Sequence, residues 1–147
     1  VGIRLHDKPA LKLEIILGLA WARLLVRFVP FAWWRDTVGP IGACPEDIQQ
    51  TDLTNEQART AVGIGRVVAR IANVMPFDAA CLPRAMTARW MLQRRKIPSR
   101  LMVGSKRGTD DGSLKFHAWL VCGNDIVTGG EVSAEYHVFG ASRATSE

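Results

Sequence analysis

A chain of 147 residues, 48% of them hydrophobic, carries enough apolar material for one buried core and too little length for two. Its 19 Lys and Arg against 14 Asp and Glu give a formal charge of +5, which favours an acidic partner or substrate, and the apolar content excludes a disordered chain. Cys44, Cys81 and Cys122 are odd in number and far apart, so they form neither a disulfide framework nor a zinc-ligand spacing, and a reducing compartment, the cytoplasm, is expected.

The first element predicted is an amphipathic helix over residues 11–29, with Leu13, Ile16, Leu17, Ala20, Leu24 and Phe28 at helical spacing and Pro30 at its end. That stripe reads as a core-packing face, with a surface for lipid or a partner protein as the alternative. Lys12, Glu14, Arg23 and Arg27 break the apolar run, which disfavours a membrane span, and no signal-peptide pattern is legible. Phe31, Trp33 and Trp34 then form an aromatic cluster that suits a packed corner or a docking surface.

Residues 35–53, with Gly39, Pro40, Gly42 and Pro45, read as a linker. Thr54 and Gln57 have capping-box spacing and open a helix to about Asn73 that buries Ala58, Ala61, Val62, Val68 and Ala69. Gly63 and Gly65 weaken this helix, so close packing or a kink must compensate. A third helix runs from about Cys81 to Lys96. Pro83 is tolerable only in its first turn, which puts Cys81 at the helix start.

Beyond Pro98 the hydrophobic period falls to two. Strands are predicted at 100–105, 114–122 and 125–128, with a final edge segment near Tyr136 and His137. On the middle strand Leu114, Phe116, Ala118 and Leu120 share one face, and His117, Trp119 and Val121 the other. Helices followed by an antiparallel meander define an α+β class. The expected organisation is one domain over 1–147, with a helical part at 1–34, the linker at 35–53 and a core at 54–147.

The chemistry concentrates at Cys81. A helix start presents unpaired amides and the positive end of the dipole, both of which stabilise an anion. Residues 79–109 add Arg84, Arg89, Arg94, Arg95, Lys96, Arg100, Lys106 and Arg107 with no acidic side chain among them. The competing reading is a buried thiol acting as a small hydrophobe. A nucleophilic thiol needs a base, and His117 on the middle strand is the leading candidate, ahead of His137 in the tail and His6 near the start. No metal-ligand spacing and no cofactor motif is legible. The basic residues with Trp90 and Trp119 lack any RNA-binding motif, so nucleic acid is not an expected partner.

The stretches "CLPRAMTARWMLQRRKIPSRLMVG" and "FHAWLVCGNDIVTGG", together with the leucine-rich opening through "VPFAWW", resemble the B2 proteins of lasso-peptide biosynthesis, cysteine peptidases of the transglutaminase-like group. The resemblance implies a transglutaminase-like or papain-like fold and removal of the leader from a ribosomally made precursor peptide. Cys81 matches the family nucleophile and His117 the general base. The third member departs from the pattern, because Gly129 stands where a carboxylate is expected. Asp125 is the first substitute, Glu131 the second, and another group or a backbone carbonyl the third. The implied partners are the precursor's leader region, a leader-recognition protein as a separate chain or fused domain, and an ATP-dependent cyclase. Amide-forming acyl transfer and a non-catalytic peptide-binding scaffold remain the alternatives.

Overall fold

A computed structural model describes residues 8–38, 53–77, 80–123, 125–130 and 136–138. Its elements run in chain order as α1 (Pro9–Phe28), α2 (Phe31–Val38), α3 (Asn55–Val74), α4 (Cys81–Arg94), β1 (Arg100–Arg107), β2 (Leu114–Cys122), β3 (Asp125–Thr128) and β4 (His137–Val138). The four helices precede an antiparallel sheet of order β3-β2-β1-β4, in which β4 contributes two residues. The α+β class is therefore as expected.

Local chemistry accounts for most boundaries. Pro9 opens α1, where its missing amide hydrogen costs nothing, and Val29 turns extended ahead of Pro30. At α3 the capping box closes in both directions: Gln57 N donates to Thr54 Oγ1, and Thr54 N donates to Gln57 Oε1, each at 3.1 Å. Lys96, at φ 56°, takes the left-handed conformation that ends the turn after α4.

The linker boundary is corrected. Residues 35–38 continue α2, because the segment carries no helix breaker before Gly39 and is tied down by its aromatics. Trp34 is buried and its Nε1 donates to Val29 O at 3.2 Å, while Trp90 Nε1 donates to Thr37 O at 3.2 Å. Of the aromatic cluster, Trp34 is core and Trp33 is exposed. Most of the predicted linker, residues 39–52, lies outside the described residues.

The inward face of α1 is also corrected. Leu11, Ile15, Leu19, Ala22 and Leu25 are buried, whereas Leu13, Leu17, Leu24 and Phe28 of the predicted stripe face solvent. Both faces are apolar, so periodicity alone does not choose between them. Close approach does: a Cβ on Gly18 would come within 2.7 Å of Thr87 Cγ2 on α4. The face beside Gly18 and Ala22 thus lets the two helices approach most closely. At the far end of α4, Arg94 and Arg95 reach Glu14 of α1 at 3.2 and 3.0 Å.

The core lies between α1, the central α4 with its neighbour α3, and one face of the sheet. α4 packs on β2 and is buried on several sides, which explains its mixed pattern: Ala85, Met86, Thr87, Ala88, Met91 and Leu92 are all buried. α3 lies against β3. A Cβ on Gly65 would overlap the carbonyl oxygen of Val127, so this glycine serves a helix-to-strand contact. Ala118, Leu120 and Cys122 of β2 face this core, and His117 and Trp119 alternate to the opposite side. Among the described residues no helix is long and apolar enough to cross a membrane.

Candidate active site

Cys81 is the first residue of α4 and Ala80, in extended backbone, is its N-cap. Pro83 therefore occupies the third helical position, within the first turn as its chemistry requires. It also removes one amide hydrogen, leaving those of Ala80, Cys81 and Leu82 at the helix start. The first helical bond runs from Arg84 N to Ala80 O at 3.3 Å. Cys81 is half-buried and packs at the margin of the core, so its sulfur is neither sealed in nor fully exposed.

The basic segment does not act on Cys81 as one field. Arg84 donates to Asn73 Oδ1 at 2.9 Å, Arg89 to Ser99 Oγ at 2.9 Å, and Lys106 lies over the Tyr136 ring at 4.8 Å. Arg94 is at the other end of α4, about 20 Å from Cys81 by helical rise, and pairs with Glu14. That separation exceeds the screening length of about 8 Å at physiological salt. The helix start itself is thus the nearest fixed source of positive potential.

His117 is half-buried on β2, with its ring stacked on Trp119 at 5.8 Å and tilted against Tyr136 at 5.2 Å. Its position opposite Gly104 on β1 makes room for this clamp. A Cβ at Gly104 would come within 3.0 Å of both Trp119 Cη2 and Tyr136 Cβ. The ring's Nε2 lies 2.8 Å from Gly129 O. A carbonyl only accepts, so Nε2 donates its hydrogen there, and the neutral ring keeps the lone pair on Nδ1. A backbone carbonyl at residue 129 thus occupies the place of the expected carboxylate.

Asp125 is not brought to His117. It pairs with Cys122, at the end of β2 five residues beyond the histidine, about 16 Å along a strand. Glu131 lies outside the described residues, as do Cys44 and His6. His137 is exposed on β4, opposite Ser105.

Helix α4 packs on the face of β2 that carries Ala118, Leu120 and Cys122, and His117 alternates to the other face. Among the described residues Cys81 and His117 share no hydrogen bond.

Cys122 is a contrast. It is buried, and its Sγ donates to Pro98 O at 3.1 Å. Burial first, and the Asp125 carboxylate second, push its thiol above the ordinary range, with Arg89 opposing. A raised folded-state value stabilises the fold below the unfolded thiol's range, about 8.5, and that stability is lost as pH rises beyond it. The denaturation midpoint is therefore expected to fall above about pH 8.5 more steeply in the native sequence than in Cys122→Ala. Parallel slopes in the two proteins would contradict this assignment.

An α+β domain with a cysteine at the first position of a helix and a histidine on a strand of the sheet that this helix packs against defines the class. Residues 25–140, well over half of the chain, match the family model of the transglutaminase-like superfamily, and the chain belongs to that superfamily, whose members usually catalyse through a cysteine. Searches of curated proteins and of solved structures each returned no match.

Proposed function

We propose that the chain is a cysteine peptidase that releases the leader from a ribosomally made lasso precursor peptide. The observation that carries the reading is the fixed tautomer of His117, whose Nε2 is committed to Gly129 O so that Nδ1 is left as the base. The resemblance of the "CLPR" and "HAW" segments to lasso B2 proteins supplies the substrate class. A leader-recognition protein would present the leader, and an ATP-dependent cyclase would close the released core.

In this mechanism Nδ1 takes the Cys81 proton, and the thiolate attacks the carbonyl at the leader-core junction. Amides at the α4 start, with that of Cys81 among them, receive the oxyanion. The protonated Nδ1 then gives its hydrogen to the departing amine, leaving a thioester on Cys81. Water attacks the thioester with Nδ1 again as base, which frees the leader acid and restores the thiol. The mechanism requires the sulfur and the imidazole, which share no hydrogen bond in the substrate-free chain, to meet when the precursor binds.

That same absence, with glycine in place of the third carboxylate, favours a second reading: a scaffold that holds the precursor without cutting it. Incubating the chain with candidate precursors and a recognition protein, and weighing the products, separates the readings. Free leader acid supports the peptidase. A leader joined to an added amine supports acyl transfer, and intact precursor retained on the chain supports the scaffold.

Gly129 offers a finer test of the histidine's support. It sits at φ 73°, and a Cβ there would come within 3.0 Å of His117 Nε2. Gly129→Ala is expected to displace the imidazole and lower kcat about 100-fold, with little change in KM. An unchanged kcat would remove the carbonyl from the mechanism.

A further inference from the structure

Strand β3 does not alternate along its whole length. Ile126 pairs with Val121 and Thr128 with Leu120, which leaves Val127 as an extra residue, a β-bulge. Ile126 is exposed, whereas Val127 and Thr128 are both buried, so two successive side chains turn toward the helices. Regular alternation from Ile126 would turn Thr128 to the other face and Gly129 toward the helices. The extra residue reverses that assignment, and Gly129 arrives on the face of the sheet that carries His117 and Trp119. A Cβ at Gly129 would lie 3.0 Å from His117 Nε2 and 3.1 Å from Trp119 Cβ.

The bulge is unfavourable by itself. Thr128 Oγ1, turned inward, is buried with no hydrogen-bond partner, and a hydroxyl so placed favours any rearrangement that lets it reach one. What opposes that rearrangement is α3. A Cβ on Gly65 would overlap Val127 O, lie 2.8 Å from Val127 C and 2.7 Å from Val127 Cγ1, so the helix backbone sits directly on the bulged residue. Only glycine permits so close a seat.

We propose that Gly65 and Val127 are positioning residues for His117, acting through the bulge that presents Gly129 O to the ring. The path is unbroken: α3 backbone, Val127 carbonyl, Thr128, Gly129 O, and then His117 Nε2 at 2.8 Å. Lifting α3 from Val127 releases the bulge. β3 then relaxes toward regular alternation, which turns the Thr128 hydroxyl out of the core and carries Gly129 away from the imidazole. A helix that holds neither Cys81 nor His117 thus governs the histidine. The inference concerns the ring's hydrogen bond, and only its effect on rate rests on the peptidase reading.

The ring's Nε2 hydrogen gives the test, followed by NMR on the full chain labelled at histidine. In Gly65→Ala its exchange with water, measured on the folded population, is expected to quicken at least tenfold. Leu19→Ala is the control: it opens the core where α1 packs on α4 and α3, lowers the thermal midpoint without touching Val127, and should change that exchange less than twofold. Should Gly65→Ala fail to fold, Val127→Ala takes its place, since it removes the apolar contact with Gly65 and keeps the chain length. It is expected to quicken exchange in the same direction. Unchanged exchange in the folded seat variant, or equal quickening in Leu19→Ala, would overturn the proposal. If the chain also releases leader, the seat variant should lower kcat roughly tenfold with little change in KM, while Leu19→Ala should leave kcat nearly unchanged below its midpoint. If it releases none, the exchange measurement still decides the inference, so the two readings fail separately.

Discussion

Replacing Cys81 with alanine is expected to lower the rate of leader release by roughly 10⁴-fold or more, equivalent to about 5.4 kcal/mol of lost transition-state stabilisation. The effect should fall on chemistry and leave the fold nearly intact. Cys81 is half-buried at the margin of the core, so truncating its small side chain should cost about 1 kcal/mol or less of stability. Cys81→Ser preserves size and should be almost as inactive, because a hydroxyl is far harder to ionise than a thiol. Cys122→Ala supplies the control, since the second thiol is buried and donates to Pro98 O. Mass analysis of precursor cleavage under single-turnover conditions reads all three variants. Full-rate cleavage by Cys81→Ala would refute the thiol mechanism.

Gly65→Ala is expected to destabilise the protein by about 3 kcal/mol, although the same exchange in an exposed helix would stabilise it by about 1 kcal/mol. Two effects oppose each other here, and geometry decides the sign. Alanine suits the interior of α3 better than glycine does. Its methyl, however, would overlap Val127 O and approach Val127 Cγ1 to 2.7 Å, and backbone on a paired strand cannot swing aside as a long side chain can. Relief requires α3 to lift from β3, opening the packing that Ile64, Val68 and Val127 share. A denaturant midpoint equal to or above that of the parent would show that α3 is not seated on β3 in this way.

The sheet was legible in the sequence because a period of two switches every side chain between faces and leaves little freedom of register. The runs at 114–122 and 125–128 appear as β2 and β3 with the same limits. α1 was legible as a helix but not in its orientation. Apolar residues line two of its faces, and the choice rests on the close approach of Gly18 to Thr87, a contact between residues far apart in the chain. The placement of Cys81 at a helix start followed from Pro83, whose ring admits few positions. The partner of His117 was hidden for a different reason. A carbonyl oxygen is present at every residue, so no residue type marks the one that Gly129 turns toward the ring. Asp125 drew attention by its charge, and strand pairing carries it to the wrong end of β2.

The order of elements in the chain has a kinetic consequence. Helix α4, then β1, then β2 follow one another, separated by the turn at 95–99 and the hairpin end at 108–113, and they carry both Cys81 and His117. Loops this short close at small entropic cost, so this unit can form early, before α1 settles across the outer side of α4. Pulsed hydrogen exchange during refolding should show amides of β1 and β2 protected ahead of those in α1. Early protection of α1 would instead mark the helices as the nucleus, with the sheet that carries His117 formed last.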